Sequence, residues 1–135
     1  MRLRFFHVDG GIHPKLGQVF HDCQLAIGGE DASRYTQYLA QVMSFVAQTV
    51  ERCDELLHYI EEVESGSQDS IETGGNDVSF TLRPSGVQVD ITVTDGWIGQ
   101  PEGRFKLSEL KNALIGWRRF LQMPSSLDSV VEIEI

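Results

Sequence analysis

Residues 76–94, Asn76-Asp77-Val78-Ser79-Phe80-Thr81-Leu82-Arg83-Pro84-Ser85-Gly86-Val87-Gln88-Val89-Asp90-Ile91-Thr92-Val93-Thr94, decide the fold class. Val78, Phe80 and Leu82 alternate with Ser79, Thr81 and Arg83. After Pro84-Ser85-Gly86 the alternation resumes, with Val87, Val89, Ile91 and Val93 against Gln88, Asp90, Thr92 and Thr94. A period of two is that of a strand with one face buried. Pro84 presets a turn and Gly86 tolerates positive φ, so the stretch reads as a β-hairpin whose second strand runs to Thr94.

Upstream the period changes. Tyr35, Leu39, Val42, Val46, Val50, Cys53, Leu57 and Ile60 recur every three or four residues, the stripe of an amphipathic helix. Tyr38, Phe45, Leu56 and Val63 widen it. Asp31 or Ser33 is placed to cap the start and Ser65-Gly66-Ser67 to end it, giving one long helix over 31–64. Residues 65–76 are polar and glycine-rich and read as a loop.

Downstream, residues 95–103 read as a second loop. A shorter helix follows, with Ser108 as its cap and Leu110, Leu114, Trp117 and Leu121 as its inward stripe, stopped at Met123-Pro124. Val131, Ile133 and Ile135 alternate with Glu132 and Glu134 in a closing strand. At the other end, residues 2–8 form a strand that turns at Asp9-Gly10-Gly11. Residues 12–27 are the most ambiguous stretch: Val19, Cys23, Leu25 and Ile27 suit a second strand closed by Gly28-Gly29. The order predicts an α+β fold, with a mixed or antiparallel sheet carrying one long and one shorter helix, in a single domain over 1–135.

The 135 residues carry 20 acidic and 11 basic side chains, a formal net charge of -9. A field of that sign repels phosphate backbones and anionic membranes, so neither nucleic acid nor membrane is an expected partner. It attracts basic proteins. No apolar run approaches a membrane span, and the N-terminus lacks the pattern of a secretory signal, so the expected compartment is the cytoplasm. Cys23 and Cys53 are too few for a disulfide framework.

The chain lacks a recognisable catalytic constellation. His7, His13, His21 and Cys23 are near in sequence, but no Cys-x-x-Cys or helical His pairing supports a metal site, and no metal or cofactor is expected. Gly10-Gly11, Gly28-Gly29 and Gly74-Gly75 lack the surroundings of a phosphate loop and read as turns. Two enzymatic alternatives remain open. Cys23 with His21 would face the same side of a strand, and Asp90 with Asp95 would form an acid pair. Cys53 lies on the inward helical stripe, where an apolar setting leaves a thiol inert.

What stands out is the distribution of acid. Residues 51–77 hold Glu51, Asp54, Glu55, Glu61, Glu62, Glu64, Asp69, Glu72 and Asp77 against the single cation Arg52. Carboxylates at a helix C-terminus oppose the macrodipole, at roughly a few tenths of a kcal/mol each. The basic residues Lys106, Lys111, Arg118 and Arg119 gather on or beside the second helix, with Arg2 and Arg4 on the first strand, which predicts a molecular dipole. Asp54, Glu55, Glu61, Glu62, Glu64, Asp69 and Glu72 are therefore candidate partner-binding residues. Trp97, in a glycine-flanked loop, is a second candidate anchor, with a lid over the core as its other reading.

Two segments carry a family resemblance. One is the hairpin from Asn76 to Val87. The other is Phe105-Lys106-Leu107-Ser108-Glu109-Leu110, leading through Gly116-Trp117-Arg118-Arg119-Phe120-Leu121 to the acidic closing strand. With the small acidic α+β pattern, they resemble the immunity proteins of bacterial contact-dependent inhibition and other polymorphic toxin systems. The resemblance implies a non-enzymatic inhibitor that binds a cognate basic toxin domain, often a nuclease. An acidic secretion chaperone or other small protein-binding adaptor is the alternative, although such chaperones usually begin with a helix.

Overall fold

The computed structural model describes residues 1–135, and its architecture is α+β. Two antiparallel sheets replace the single sheet expected. The first has the order β2-β1-β7, from β1 (Arg2–His13), β2 (Gly17–Ile27) and β7 (Val130–Glu134). The second has the order β3-β4-β5-β6, from β3 (Ile71–Gly75), β4 (Val78–Arg83), β5 (Gly86–Ile91) and β6 (Arg104–Phe105).

The hairpin that decided the fold class is β4–β5. Phe80 faces Val89 and Leu82 faces Val87, and all four are buried, as the alternation requires. The strand stops at Ile91, however, and Val93 is 63% exposed rather than inward. The expected 65–76 loop is shortened by β3. Its Gly74-Gly75 pairs with Val78 and Ser79, across a two-residue Asn76-Asp77 turn in which Asp77 takes φ 62°. Glycine works in this strand because a Cβ at Gly74 would collide with the Val78 carbonyl oxygen.

The ambiguous 12–27 stretch is a strand. Asp9-Gly10-Gly11 is not a turn, as the sequence suggested, but a bulge within β1. Gly11 sits at φ 85°, and its N–H is taken by Asp9 Oδ1 at 2.7 Å. The turn comes later, where His13 Nδ1 accepts from the N–H groups of Lys15 and Leu16 at 3.1 and 3.2 Å. Since β7 pairs only with Arg2–Phe6, the remainder of β1 and β2 projects as a two-stranded arm. Ile12 at its end is 84% exposed and Leu16 76%.

The long helix is broken. Ala32–Arg34, a π-helical turn over Tyr35–Leu39, and Ala40–Phe45 run together as α1, residues 32–45. The chain then leaves the helix, and α2 (Val50–Glu64) starts afresh with Thr49 as cap, its side chain accepting from Arg52 N at 3.1 Å. Asp31 occupies the cap position of α1 without a side-chain capping bond. The break resets the helical phase. The buried stripe of α2 is Cys53, Leu56, Ile60 and Val63, while Leu57 is only partly buried and Phe45 is 43% exposed.

The second expected helix is α3 (Leu107–Leu121). Ser108 does not cap it. Lys106 holds the cap position, and Glu109 Oε1 reaches back to accept from Lys106 N at 3.0 Å. Helix α3 packs on β1 and β7 and lies beside α2, while α1 bridges from β2 to β4 and β5. Phe5 meets the Trp117 ring edge-on at 5.1 Å, and Trp117 stacks on Phe120 at 5.3 Å. One cluster of 28 buried residues joins both sheets and the helices. No helix is long and apolar enough to cross a membrane.

Candidate functional site

The acidic surface starts on the outward side of α2, where the buried stripe leaves Asp54, Glu55, Glu61 and Glu64 exposed and Glu62 half-buried. Folding divides these carboxylates into two groups. Asp54 takes both Nε and Nη2 of Arg118, at 2.6 and 3.3 Å, and this hydrogen bond holds the guanidinium more firmly protonated than usual. Glu64 meets Lys111 Nζ at 3.9 Å. Glu55 pairs with Arg52 and accepts from the Tyr59 hydroxyl at 3.0 Å, a bond that raises the Tyr59 pKa. The expected charge separation therefore fails at α3: Lys111 and Arg118 lie against the acid of α2. Arg2 and Arg4 pair with Glu132 and Glu134 on the neighbouring strand.

The second group runs from the last turns of α2 into the next strand. Glu61 and Glu62 have His58 as their only partner, at 4.0 and 2.9 Å, while Asp69 and Glu72 have no cationic partner. Ser65 and Gly66, the latter at φ 82°, end the helix and turn the chain toward β3. Arg52 ties the two elements together: its Nη2 donates to Thr73 Oγ1 at 2.9 Å and to the Gly74 carbonyl at 3.1 Å. Beyond β3 the outer face of the second sheet forms a shallow depression of ≈ 540 Å³, to which Glu72 and Asp90 bring carboxylates. Strand β3 is also the free edge of its sheet.

Trp97 is not a lid over the core. It sits in the short 3-10 turn Asp95–Trp97 and is 41% exposed, with Val93 at 63% and Ile98 at 43%. Thr92 N donates to the Asp77 carbonyl at 2.8 Å. The apolar residues after it thus leave the sheet at the Asn76-Asp77 turn, where the acidic stretch ends. Asp90, a candidate acid, accepts from Gly99 N at 2.7 Å and fastens this loop; its hydrogen bond is not to Asp95.

His21 and Cys23 share the outer face of β2, opposite Val8 and Phe6, but the His21 ring lies against Gly10. No three His, Cys, Asp or Glu side chains converge as metal ligands. Burial, with the nearby Asp54 charge, pushes the Cys53 thiol up to about 11. The most perturbed cluster is one that the sequence did not single out. Tyr35 donates to Glu109, and the Arg34 guanidinium lies 4.5 Å from the Tyr35 ring centroid and 4.7 Å from that of Phe105. Burial first, then the Glu109 bond, pushes Tyr35 up to about 12. The Tyr35–Glu109 bond fastens α1 to the first turn of α3, and Arg34 adds to the fastening by donating to the carbonyls of Glu102 and Arg104. The His58–Glu62 spacing was visible in the sequence; the Arg34–Tyr35–Glu109 clamp, spanning 74 residues, was not.

Comparison with protein-family models, curated proteins and solved structures finds no match for this chain.

Proposed function

We propose that this protein is a protein-binding inhibitor of the immunity type, acting in the bacterial cytoplasm. Its partner would be a cognate basic, nuclease-like toxin domain, and its binding surface the acidic strip of Glu61, Glu62, Asp69 and Glu72. One observation supports the reading above the others: these four carboxylates lack Lys or Arg partners, whereas Asp54, Glu55 and Glu64 are neutralised within the fold. Carboxylates without Lys or Arg partners accelerate encounter with a cationic surface and then offer acceptors to its Arg and Lys donors. Trp97, with Val93 and Ile98, supplies apolar area near the end of the strip. An acidic secretion chaperone or other small protein-binding adaptor is the alternative.

The test is capture from lysate at low salt, followed by titration of the isolated partner. The expected partner is a basic domain whose nuclease activity this chain suppresses. The combined variant E61Q/E62Q/D69N/E72Q should weaken binding at least about tenfold and flatten its salt dependence. D54N/E55Q/E64Q should change it little. Equal affinity of both variants and the wild type would remove the acidic strip from the account.

A further inference from the structure

On the outer face of the second sheet lies a shallow cavity of ≈ 400 Å³, lined by Thr81, Arg83, Ser85, Gly86, Val87, Gln88, Arg104 and Phe105. Its chemistry is opposite to that of the molecule. The chain has 20 acidic residues against 11 basic, yet no carboxylate lines this cavity and two arginines do. Of the 11 basic residues, Arg2, Arg4, Arg52, Lys111 and Arg118 have carboxylate partners; Arg83 and Arg104 are among the six that have none. The carboxylates of this face, Glu72 and Asp90, belong to the adjoining depression, which shares Thr81.

The strand register builds the cavity. Thr81, Gln88 and Arg104 stand side by side across β4, β5 and β6, and Arg83 faces Gly86 in the next row. Gly86, at φ 144°, leaves that row without a side chain, and a Cβ there would stand 2.7 Å from the Phe105 carbonyl oxygen. Arg104 is oriented rather than loose. Its Nε donates to Gln88 Oε1 at 3.0 Å, and Gln88 Nε2 in turn donates to the Gln100 carbonyl at 2.9 Å. That chain uses Nε and leaves both terminal nitrogens of the guanidinium for a ligand, while its backbone carbonyl is fixed by Arg34 at 2.8 Å.

The geometry points to a binding site for a small organic anion, held through a phosphate or carboxylate head by Arg83 and Arg104, with the Ser85 and Thr81 hydroxyls as further donors. A planar guanidinium fixed at Nε presents two parallel N–H groups, the arrangement that takes two oxygens of such a head. Gln88 is a positioning residue, acting through Arg104. The site requires no protein partner, and it borders the acidic strip at Thr81, which faces Glu72 across β3 and β4.

Proton–nitrogen correlation spectra that include the arginine Nε–H groups test this. Inorganic phosphate and acetate are titrated separately, against sodium chloride at matched ionic strength. Saturable shifts of Arg104 Nε–H and of the Ser85, Gly86 and Gln88 amides are expected with at least one anion, and the anion that saturates names the head group. R83Q and R104Q should each weaken that binding about tenfold or more, since a charge-assisted hydrogen bond is lost. Q88L, which keeps both charges, should weaken it severalfold without shifting signals of the core. Identical shifts with chloride, the lack of saturation with either anion, or unchanged affinity in R83Q and R104Q would overturn the proposal.

Discussion

The indole Nε1 of Trp117 donates to the carbonyl oxygen of Ala47 at 2.7 Å, joining the middle of α3 to the break between α1 and α2. Both residues are buried, and the only other donor at that carbonyl is the Cys53 thiol at 3.8 Å. The break and the tryptophan thus satisfy each other: leaving the helix exposes a carbonyl that would otherwise be orphaned in the core.

Replacement of Trp117 by Phe keeps most of the ring packing on Phe5 and Phe120 and removes the donor. The expected loss is about 1–3 kcal/mol, the cost of a buried acceptor left without a full partner. The midpoint of urea unfolding measures it. A midpoint equal to that of the wild type would mean that this bond adds nothing net.

Two buried protons make stability sensitive to alkali. Cys53 is raised from 9.0 to about 11 and Tyr35 from 10.0 to about 12, so above these ordinary values the unfolded chain releases protons that the folded chain keeps. Stability is then lost as pH rises. The thiol contribution is intact below pH 9 and disappears toward 11; the phenol contribution is intact below 10 and disappears toward 12. Denaturation midpoints between pH 8 and 12 should fall in both windows, with Cys53→Ala flattening the first and Tyr35→Phe the second. Below pH 9 a thiol reagent should label Cys23 in the folded protein and reach Cys53 only on unfolding.

Amide exchange should divide β1 in two. Arg2–Phe6 lie between β2 and β7 over the core and should exchange only on global unfolding. Residues 8–13 and 17–19, in the projecting arm with a strand on one side only, should exchange orders of magnitude faster, because an isolated hairpin is marginal in water. Equal protection along β1 would show that the arm is covered in solution.

Periodicity carries far in this chain. The β4–β5 alternation predicts register and burial from Val78 to Ile91, since a strand with one buried face permits only one phase. It fails at Val93, because the Thr92 N–H to Asp77 carbonyl bond is the last that the hairpin makes before the chain turns at Asn76-Asp77 and leaves Val93 without a partner on β4. The helical stripe from Tyr35 to Ile60 reads as one helix because apolar spacing passes through Ala47-Gln48-Thr49 without a proline or glycine. The capping chemistry of Thr49 was present, but the donor that stabilises the break, Trp117, is 70 residues away. The Gly10-Gly11 and Gly74-Gly75 pairs look like turns by composition. Pairing with neighbouring strands makes one a bulge and the other the end of an edge strand.

Local sequence determined the α+β class, the order of most elements and the inward residues of β4, β5 and α3. These follow from alternation, helical spacing and turn chemistry acting within a few residues. It also determined the net charge and the crowding of acid between Glu51 and Asp77. Only the tertiary structure decided which of those acids are free. Asp54 and Glu64 are neutralised by Arg118 and Lys111 because α3 packs beside α2, while Glu61, Glu62, Asp69 and Glu72 receive no such neighbour. Only the strand register set Arg83 and Arg104 around Gly86. Charge pairing depends on distances of a few ångströms between elements far apart in the chain, and no local pattern encodes them.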